Sequence, residues 1–248
     1  MNALSNIKTV AKRELVAYFS SPLAYVFIVI FLLLCGFFTF FVANFFDHNQ
    51  AALAGPFMMW HPWFYLFLVP AVGMRLWAEE RRVGTIELLL TMPITAWQAI
   101  VGKFLASWLF LLLALVLTFP LVLTVNILGH PDNGVILCSY VGSWLMAGAY
   151  LAISCTTSAM TRTQVVSFIV AVVICLFLIL AGFPPVIRML QGWAGPKVVD
   201  AVASISVITH FDGFQKGMLD LRDILFFLSI IGFSLFATSV ILRGHRGG

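Results

Sequence analysis

The chain has 248 residues, of which 62% are hydrophobic and only 10% are charged. A soluble domain has roughly 45–50% apolar and about 25% charged residues, so this composition excludes a soluble globular protein and predicts a polytopic membrane protein. The formal net charge of +4 does not indicate nucleic-acid binding, because the basic residues lie at the ends of predicted spans and form no single patch.

Residues 1–21 are predicted to form an amphipathic helix at the membrane surface. Its apolar residues recur at spacings of three and four and share one helical face; they are Leu4, Ile7, Ala11, Leu15 and Tyr18. Charged residues interrupt the apolar run that a signal peptide would need. The alternative is a solvated tail.

Six apolar segments follow that are long enough to cross a membrane. Their approximate bounds are 23–46, 60–77, 97–128, 135–158, 165–183 and 224–242. Pro70 predicts a kink in the second segment, and Lys103 is expected to extend from the third toward the membrane surface. In the fourth, Gly148 and nearby small residues permit close helix approach. We therefore expect an all-α protein with one transmembrane domain spanning residues 1–248.

Residues 184–222 are the least regular part of the chain. Pro184 and Pro185 are expected to break the fifth helix. The apolar pieces that follow are too short to cross a bilayer. External or half-inserted short helices are therefore predicted before the last span.

The distribution of Lys and Arg predicts the orientation in the membrane. Of the fourteen basic residues, four fall in segments assigned to the outside, namely Arg188, Lys197, Lys216 and Arg222. The other ten fall on the opposite side. The positive-inside rule then places both termini on the cytoplasmic side of the membrane.

The sequence lacks the common patterns of catalytic and metal sites. Gly102-Lys103-Phe104 has neither the upstream glycine loop nor the hydroxyl of a nucleotide-binding loop, and no catalytic motif is found. The five His and four Cys are scattered, so no catalytic residue, bound cofactor or metal site is expected. A proton- or sodium-coupled carrier would have an ionisable group near the middle of a span, and the predicted spans have none there. Energy for any transport is therefore expected from another chain.

Residues 79–94 form a short polar segment of helix-forming composition between two long apolar segments. From Thr85 onward the apolar residues share one face, whereas Glu87 and Thr91 lie on the opposite face. Gly84 is expected to begin this helix, and Glu87 would then lie in its first turn, where a negative charge is favoured. The pattern predicts a short surface helix that offers its polar face to a cytoplasmic partner.

The coupling-helix region of ABC-2-type permeases resembles one run of this sequence, Glu79-Glu80-Arg81-Arg82-Val83-Gly84-Thr85-Ile86-Glu87-Leu88-Leu89-Leu90-Thr91-Met92-Pro93-Ile94, followed by Gly102-Lys103-Phe104. A second run, Thr209-His210-Phe211-Asp212-Gly213-Phe214-Gln215-Lys216-Gly217-Met218-Leu219-Asp220-Leu221-Arg222-Asp223, is similar to the segment before the last span in the gliding-motility permeases of that family. The nitrous-oxide-reductase accessory permeases are their relatives. With span number and spacing, the resemblance covers nearly the whole chain.

This resemblance implies a permease subunit with an N-terminal elbow helix, a coupling helix at about 84–92 and re-entrant helices after residue 184. Its partners would be two separately encoded ATP-binding subunits, which would hold ATP and Mg²⁺, and a second permease, expected to be a copy of this chain. A periplasmic or membrane-anchored accessory protein is a further implied partner. The lipid bilayer surrounds the assembly.

The resemblance also implies where the ATP-binding subunit would dock. The residues concerned lie on and beside the coupling helix; they are Glu79, Glu80, Arg81, Arg82, Gly84, Thr85, Glu87, Leu88 and Thr91. For the four charged residues 79–82 the alternative is the solvated end of a span. For Glu87 it is a favourable first-turn charge alone.

An external gate or docking surface is expected in the second run. Its members are His210, Phe211, Phe214 and Gly217. The alternative is a capped junction, in which Asp220 or Asp223 begins the last helix and the aromatic residues are interface anchors.

Three functions remain open from the sequence. The first is a permease that exports or extrudes a substrate with energy from a partner ATPase. The second is an ATP-driven transmembrane motor that acts on a periplasmic partner without moving a solute. The third is a membrane scaffold that transports nothing.

Overall fold

The computed structural model describes residues 3–43, 55, 57–84, 94–192 and 194–244. Over these ranges the secondary structure is helical and includes no strand. The all-α prediction is therefore confirmed.

The N-terminal helix is present as predicted. Helix α1 covers Ala3–Phe19. The next helix, α2, covers Pro22–Phe37 and continues as a π-helical turn over Phe38–Val42. Ser21 caps the start of α2, since its side chain accepts a hydrogen bond from the Leu23 amide. Pro22 suits the first position of α2, because the amide hydrogen that it lacks would have no partner within the helix there.

The second predicted span is divided into two helices. Helix α3 covers His61–Gly73 and α4 covers Arg75–Val83, with Met74 between them. The kink expected at Pro70 therefore falls four residues later, because α3 continues through Pro70 and ends at Gly73.

The third and fourth predicted spans are long helices with clear N-terminal caps. Helix α5 covers Ala96–Val116 and begins with a capping box between Thr95 and Gln98. After a two-residue turn, α6 covers Phe119–Leu128 with a proline in its first turn. Helix α7 covers Asn133–Met160, and the Asp132 carboxylate accepts hydrogen bonds from two of its first amides.

The last third of the chain has the predicted irregular segment. Helix α8 covers Gln164–Leu180 and α9 covers Pro184–Gln191, with a bend of 63° between them. Two further short helices follow, α10 at Pro196–Ala203 and α11 at Val207–Gln215. The final helix, α12, covers Leu221–Gly244. The break at Pro184 and the short helices after it are present, whereas their external or half-inserted position stays a prediction.

Four helical segments of the described chain are long and apolar enough to cross a membrane: Pro22–Val42, Ala96–Leu128, Asn133–Met160 and Leu221–Gly244. The bent pair α8 and α9 makes a fifth if it is one span. Helix α3 has only 13 residues, or about 20 Å, and is shorter than a bilayer core. The expectation of six crossings stays a prediction.

Helix α7 is the centre of the bundle. It packs against six other helices: α3, α4, α5, α8, α11 and α12. Glycines permit the close approach, since a Cβ on Gly148 would lie 2.7 Å from the indole nitrogen of Trp108, and one on Gly73 of α3 would lie 2.3 Å from the Cβ of Ser154. The prediction that small residues in the fourth span allow close packing is confirmed.

Candidate functional site

The predicted ATPase-docking residues fall into two groups. Glu79, Glu80, Arg81 and Arg82 belong to α4, and Gly84 follows it directly. Gly84 has φ +78° and ends α4 in the left-handed conformation that glycine adopts readily. It thus closes the preceding helix, whereas we expected it to begin the next one. The remaining residues of this set lie outside the described ranges; they are Thr85, Glu87, Leu88 and Thr91.

The start of α4 is fixed by one side chain of α7. The Ser158 hydroxyl accepts hydrogen bonds from the amides of Trp77 (3.0 Å) and Ala78 (2.9 Å) and donates one to the Met74 carbonyl (2.8 Å). These backbone groups lie at the break between α3 and α4, where regular helical bonding is interrupted. Ser158 therefore replaces lost helical hydrogen bonds and joins α4 to α7.

Glu80 forms part of a charge cluster with Lys103, which is buried, and Glu14; the two carboxylate side chains are each 18% exposed. The Lys103 ammonium lies 2.8 Å from a carboxylate oxygen of Glu80 in α4 and 3.2 Å from one of Glu14 in α1. Its side chain is only 4% exposed and lies over the Trp77 ring at 5.4 Å. The expectation that Lys103 reaches out to the surface is therefore wrong, because two carboxylates hold the ammonium inside the protein.

The other charges of α4 differ in their availability to a partner. Arg81 donates a hydrogen bond to the Ala159 carbonyl at 2.5 Å. Glu79 and Arg82 pair with each other at 2.8 Å, and the Arg82 side chain is 64% exposed. An exposed pair of this kind contributes little stability. Of the four predicted charges, Arg82 is thus the most accessible.

Two pKa shifts reflect this arrangement. Burial favours the neutral form of Glu14, but Lys103 and Arg13 outweigh it and hold the pKa of the carboxyl below its ordinary value. Partial burial, with repulsion from Arg162, lowers the pKa of Arg81. Glu14 is therefore an anion at neutral pH, as its pairing with Lys103 requires.

The elbow helix α1 is attached to α5 along its length. Asn6 donates to the Gln98 side chain at 3.2 Å, and the Tyr18 hydroxyl lies 2.9 Å from that of Ser107. Between them, a Cβ on Gly102 would lie 2.8 Å from the Val10 side chain. Leu4 of the predicted apolar face is 80% exposed. The other four residues of that face, Ile7, Ala11, Leu15 and Tyr18, are partly buried, so much of the predicted apolar face packs on the protein, and its contact with the membrane surface stays a prediction.

The predicted external docking residues lie inside a packed junction. Phe211 and Phe214 are buried, and His210 is 5% exposed. A Cβ added to Gly142 of α7 would lie only 2.5 Å from the Phe214 ring, so the ring packs directly against the α7 backbone. Gly217 has φ +77° and turns the chain toward α12. These side chains therefore hold α11 on α7, while their role as a gate stays a prediction.

His210 joins α11 to α12. Its Nδ1 lies 2.6 Å from a carboxylate oxygen of Asp223, and its Nε2 lies 3.0 Å from the Ser204 carbonyl. Its ring also stacks on Phe226 with centroids 3.9 Å apart. Asp220 accepts a hydrogen bond from the Arg222 amide. This geometry is that of the capped junction that was the alternative for this segment.

Within the described residues, no group of three or more His, Cys, Asp or Glu side chains could hold a metal ion. The four cysteines are free thiols, and three of them are buried. One has a specific contact, since the Trp77 indole donates to the Cys155 sulfur at 3.2 Å.

The sequence matches a family model described as ABC-2 family transporter protein over residues 51–246. This range contains helices α3 to α12 and covers well over half of the chain. The chain belongs to the ABC-2 transporter family. No curated protein matches the sequence significantly.

As an ABC-2 family member, the protein is the membrane permease component of an ABC transporter. The resemblance of the chain to ABC-2-type permeases is thereby confirmed, whereas the coupling role of residues 79–94 and membership of the gliding-motility group stay predictions. The elbow helix α1 lies outside the matched range. Its attachment to α4 and α5 is a feature of this structure in its own right.

Proposed function

We propose that this ABC-2 permease couples ATP hydrolysis by a separate ATP-binding subunit to export or extrusion across a bacterial inner membrane. Two ATP-binding subunits would hold ATP and Mg²⁺, and a second copy of this chain would complete the pathway. Residues 85–93 would form the contact with the ATP-binding subunit. Helix α4 would carry the resulting movement into the bundle.

The observation that carries this proposal is the attachment of α4 to three other helices. Ser158 fixes its start to α7, and Lys103 joins Glu80 to α5 and, through Glu14, to α1. A force applied just after Val83 therefore acts on a helix that cannot move alone. Bundles linked in this way change between discrete arrangements more readily than they deform.

The accessible charges of α4 support a contact at this end. The Arg82 side chain is 64% exposed and that of Glu79 is 34% exposed. Exposed charges of opposite sign favour orientation and fast association with a complementary partner surface. Gly84, in its left-handed conformation, ends α4 directly before the proposed coupling segment.

The orientation in the membrane, the group of permeases and the location of the bound nucleotide are proposed from the sequence. The excess of basic residues on the side of α4 supports a cytoplasmic location for this end. The run at 209–223 supports the gliding-motility group of permeases, whose accessory protein would lie on the other side. The bound nucleotide and metal belong to the ATP-binding subunit, in keeping with the missing phosphate-binding loop in this chain.

The proposal is tested by Glu87→Arg in the intact complex. Reversing a charge at the centre of the contact is expected to lower co-purification of the ATP-binding subunit about tenfold. Substrate-independent ATP hydrolysis in proteoliposomes should fall with it. Both quantities are measured on complexes purified by a tag on the permease.

Arg188→Glu is the matched control, because Arg188 lies in α9, in the segment assigned to the other side of the membrane. It should leave co-purification and hydrolysis at the level of the unmodified complex. If Glu87→Arg also leaves both unchanged, residues 85–93 are not the coupling contact.

A further inference from the structure

A cavity of about 200 Å³ lies between α1 and α4. Its lining combines both signs of charge, with Glu14, Glu79 and Glu80 as the carboxylates and Arg75 and Lys103 as the cations. Tyr18 contributes an aromatic wall. A cavity of this composition is suited to a small polar group that itself carries both charges.

Most of these charges are already paired within the protein. Lys103 is held by Glu14 and Glu80, and Glu79 by Arg82. Arg75 is different, since its guanidinium forms no hydrogen bond or ion pair with any residue in the described ranges. A guanidinium offers five donors in a geometry that matches a phosphate group. The cavity therefore has a cation that lacks an anion.

The charged cavity adjoins a mainly apolar one. A second, smaller cavity shares Tyr18, Ser21 and Arg75 with the first. Its other walls are apolar, with Ala24 and Phe27 of α2 among them. A charged compartment and an apolar one of about 30 Å³ therefore adjoin at Arg75, in the order in which a lipid headgroup is followed by its first chain atoms.

We propose that these two cavities bind one aminophospholipid of the phosphatidylethanolamine class. Its phosphate contacts Arg75, its ammonium lies toward Glu14 and Glu79, and its chain begins along Ala24 and Phe27. This site is independent of the transport function proposed above.

The carboxylates explain the preference for an amine. A lipid with only negative charge, such as phosphatidylglycerol, could place its phosphate at Arg75 but would bring no second cation to the carboxylates of Glu14 and Glu79. Phosphatidylcholine carries a positive charge, but its quaternary amine has no hydrogen to donate to a carboxylate. The ethanolamine ammonium has three donors, so it can bind both Glu14 and Glu79.

The experiment is native mass spectrometry of the full-length chain in detergent, titrated separately with phosphatidylethanolamine, phosphatidylglycerol and phosphatidylcholine. One ethanolamine lipid is expected to bind at least about fivefold more tightly than either of the others. Arg75→Gln should weaken it about tenfold, as expected for the loss of a charged hydrogen bond. Arg75→Lys should restore part of the affinity.

Lys12→Gln is the matched control, because it removes one positive charge from the exposed side of α1 and should leave binding unchanged. Glu79→Gln keeps the test valid if Arg75→Gln fails to fold, and it should reduce the preference for ethanolamine over glycerol headgroups. Soluble phosphoethanolamine and inorganic phosphate separate a lipid site from a free phosphate site, since neither should displace the lipid at millimolar concentration.

Three results would overturn the proposal. The first is equal binding of all three lipids, which would indicate a general annular layer. The second is unchanged binding by both Arg75→Gln and Glu79→Gln. The third is displacement of the lipid by inorganic phosphate, which would make the site one for a free anion.

Discussion

The two ends of α7 are held in contrasting ways. Near its C-terminal end, Ser158 and the adjoining cluster of Lys103, Glu14 and Glu80 fix α4 by hydrogen bonds and charges. Near its N-terminal end the contact is mainly one of shape, since Phe214 packs into the space left by Gly142, and the Ser139 hydroxyl adds one hydrogen bond to the Phe214 carbonyl. The sixteen residues from Gly142 to Ser158 correspond to about 24 Å of helix, so the two junctions are separate structural units.

This contrast indicates different tolerance to substitution and to movement. A buried charge cluster loses much of its stability when one member is removed, because the remaining charges stay buried without a partner. A contact held by shape responds instead to added volume. The first kind suits a joint that transmits force between helices, and the second suits a fixed anchor.

Lys103→Met is expected to have the largest effect. It leaves Glu14 and Glu80 close together without their shared cation, and loss of one partner from a buried pair costs about 3 kcal/mol or more. The free energy of unfolding, measured by denaturant titration in mixed micelles, should fall by that amount. Lys197→Met, at an exposed position of α10, is the control and should change it little. Equal values for the two variants would contradict a structural role for the cluster.

Ser158→Ala is expected to cost about 2 kcal/mol, because it leaves the amides of Trp77 and Ala78 buried without an acceptor. Ser154→Ala, one turn earlier in α7, is the matched control. Its hydroxyl bonds only to the Tyr150 carbonyl of the same helix, so its loss should cost a few tenths of a kcal/mol. The same titration compares them, and a Ser154→Ala cost as large as that of Ser158→Ala would refute the proposed clamp.

Gly142→Ala tests the other end of α7 and should cost about 1–2 kcal/mol. Its new Cβ would lie 2.5 Å from the Phe214 ring, so the ring must move. Gly232→Ala in α12 is the control, because nothing lies within 4 Å of its added Cβ, and it should be neutral or slightly stabilising. Thermal unfolding followed by circular dichroism distinguishes these outcomes. An unchanged melting temperature for Gly142→Ala would mean that α11 does not pack closely there.

Acid sensitivity is the smallest expected effect. Since the folded-state pKa of Glu14 is lowered from its ordinary value of 4.5, its contribution to stability is complete above that value and is lost as the pH falls through the folded pKa. Glu14→Gln should therefore flatten the decline in the free energy of unfolding below about pH 4.5. Asp200→Asn, at an exposed position, should retain the full decline. A profile for Glu14→Gln identical to that of the unmodified protein would contradict the assigned pairing.

Much of the fold could be predicted because its signals are local. The elbow helix and the break at Pro184 each follow from a few neighbouring residues. The break at Met74 could not be predicted, since it depends on Ser158, which lies far away in the sequence. Local sequence patterns therefore predict where helices begin and end. They do not predict a break in one helix that depends on a side chain of another helix.

The candidate site was only partly predictable for the same reason. Glu80 and Lys103 were each singled out, but neither their pairing nor the third member Glu14, 89 residues from Lys103, was predicted. One signal was present, since a lysine within an apolar helix needs a buried counter-charge or a route to the surface. The sequence could not distinguish these possibilities. The buried positions of Phe211 and Phe214 likewise depend on Gly142 in a distant helix.

The central claim, that residues 85–93 receive force from an ATP-binding subunit, is tested most directly by site-specific photo-crosslinking in intact membranes. A photoreactive phenylalanine analogue at Glu87 should crosslink to a protein that contains a nucleotide-binding phosphate loop, identified by mass spectrometry. The same analogue at Asp212, an exposed position of α11, should give no such product. A crosslink to the ATP-binding subunit from position 212, or none from position 87 in a hydrolysing complex, would contradict the account.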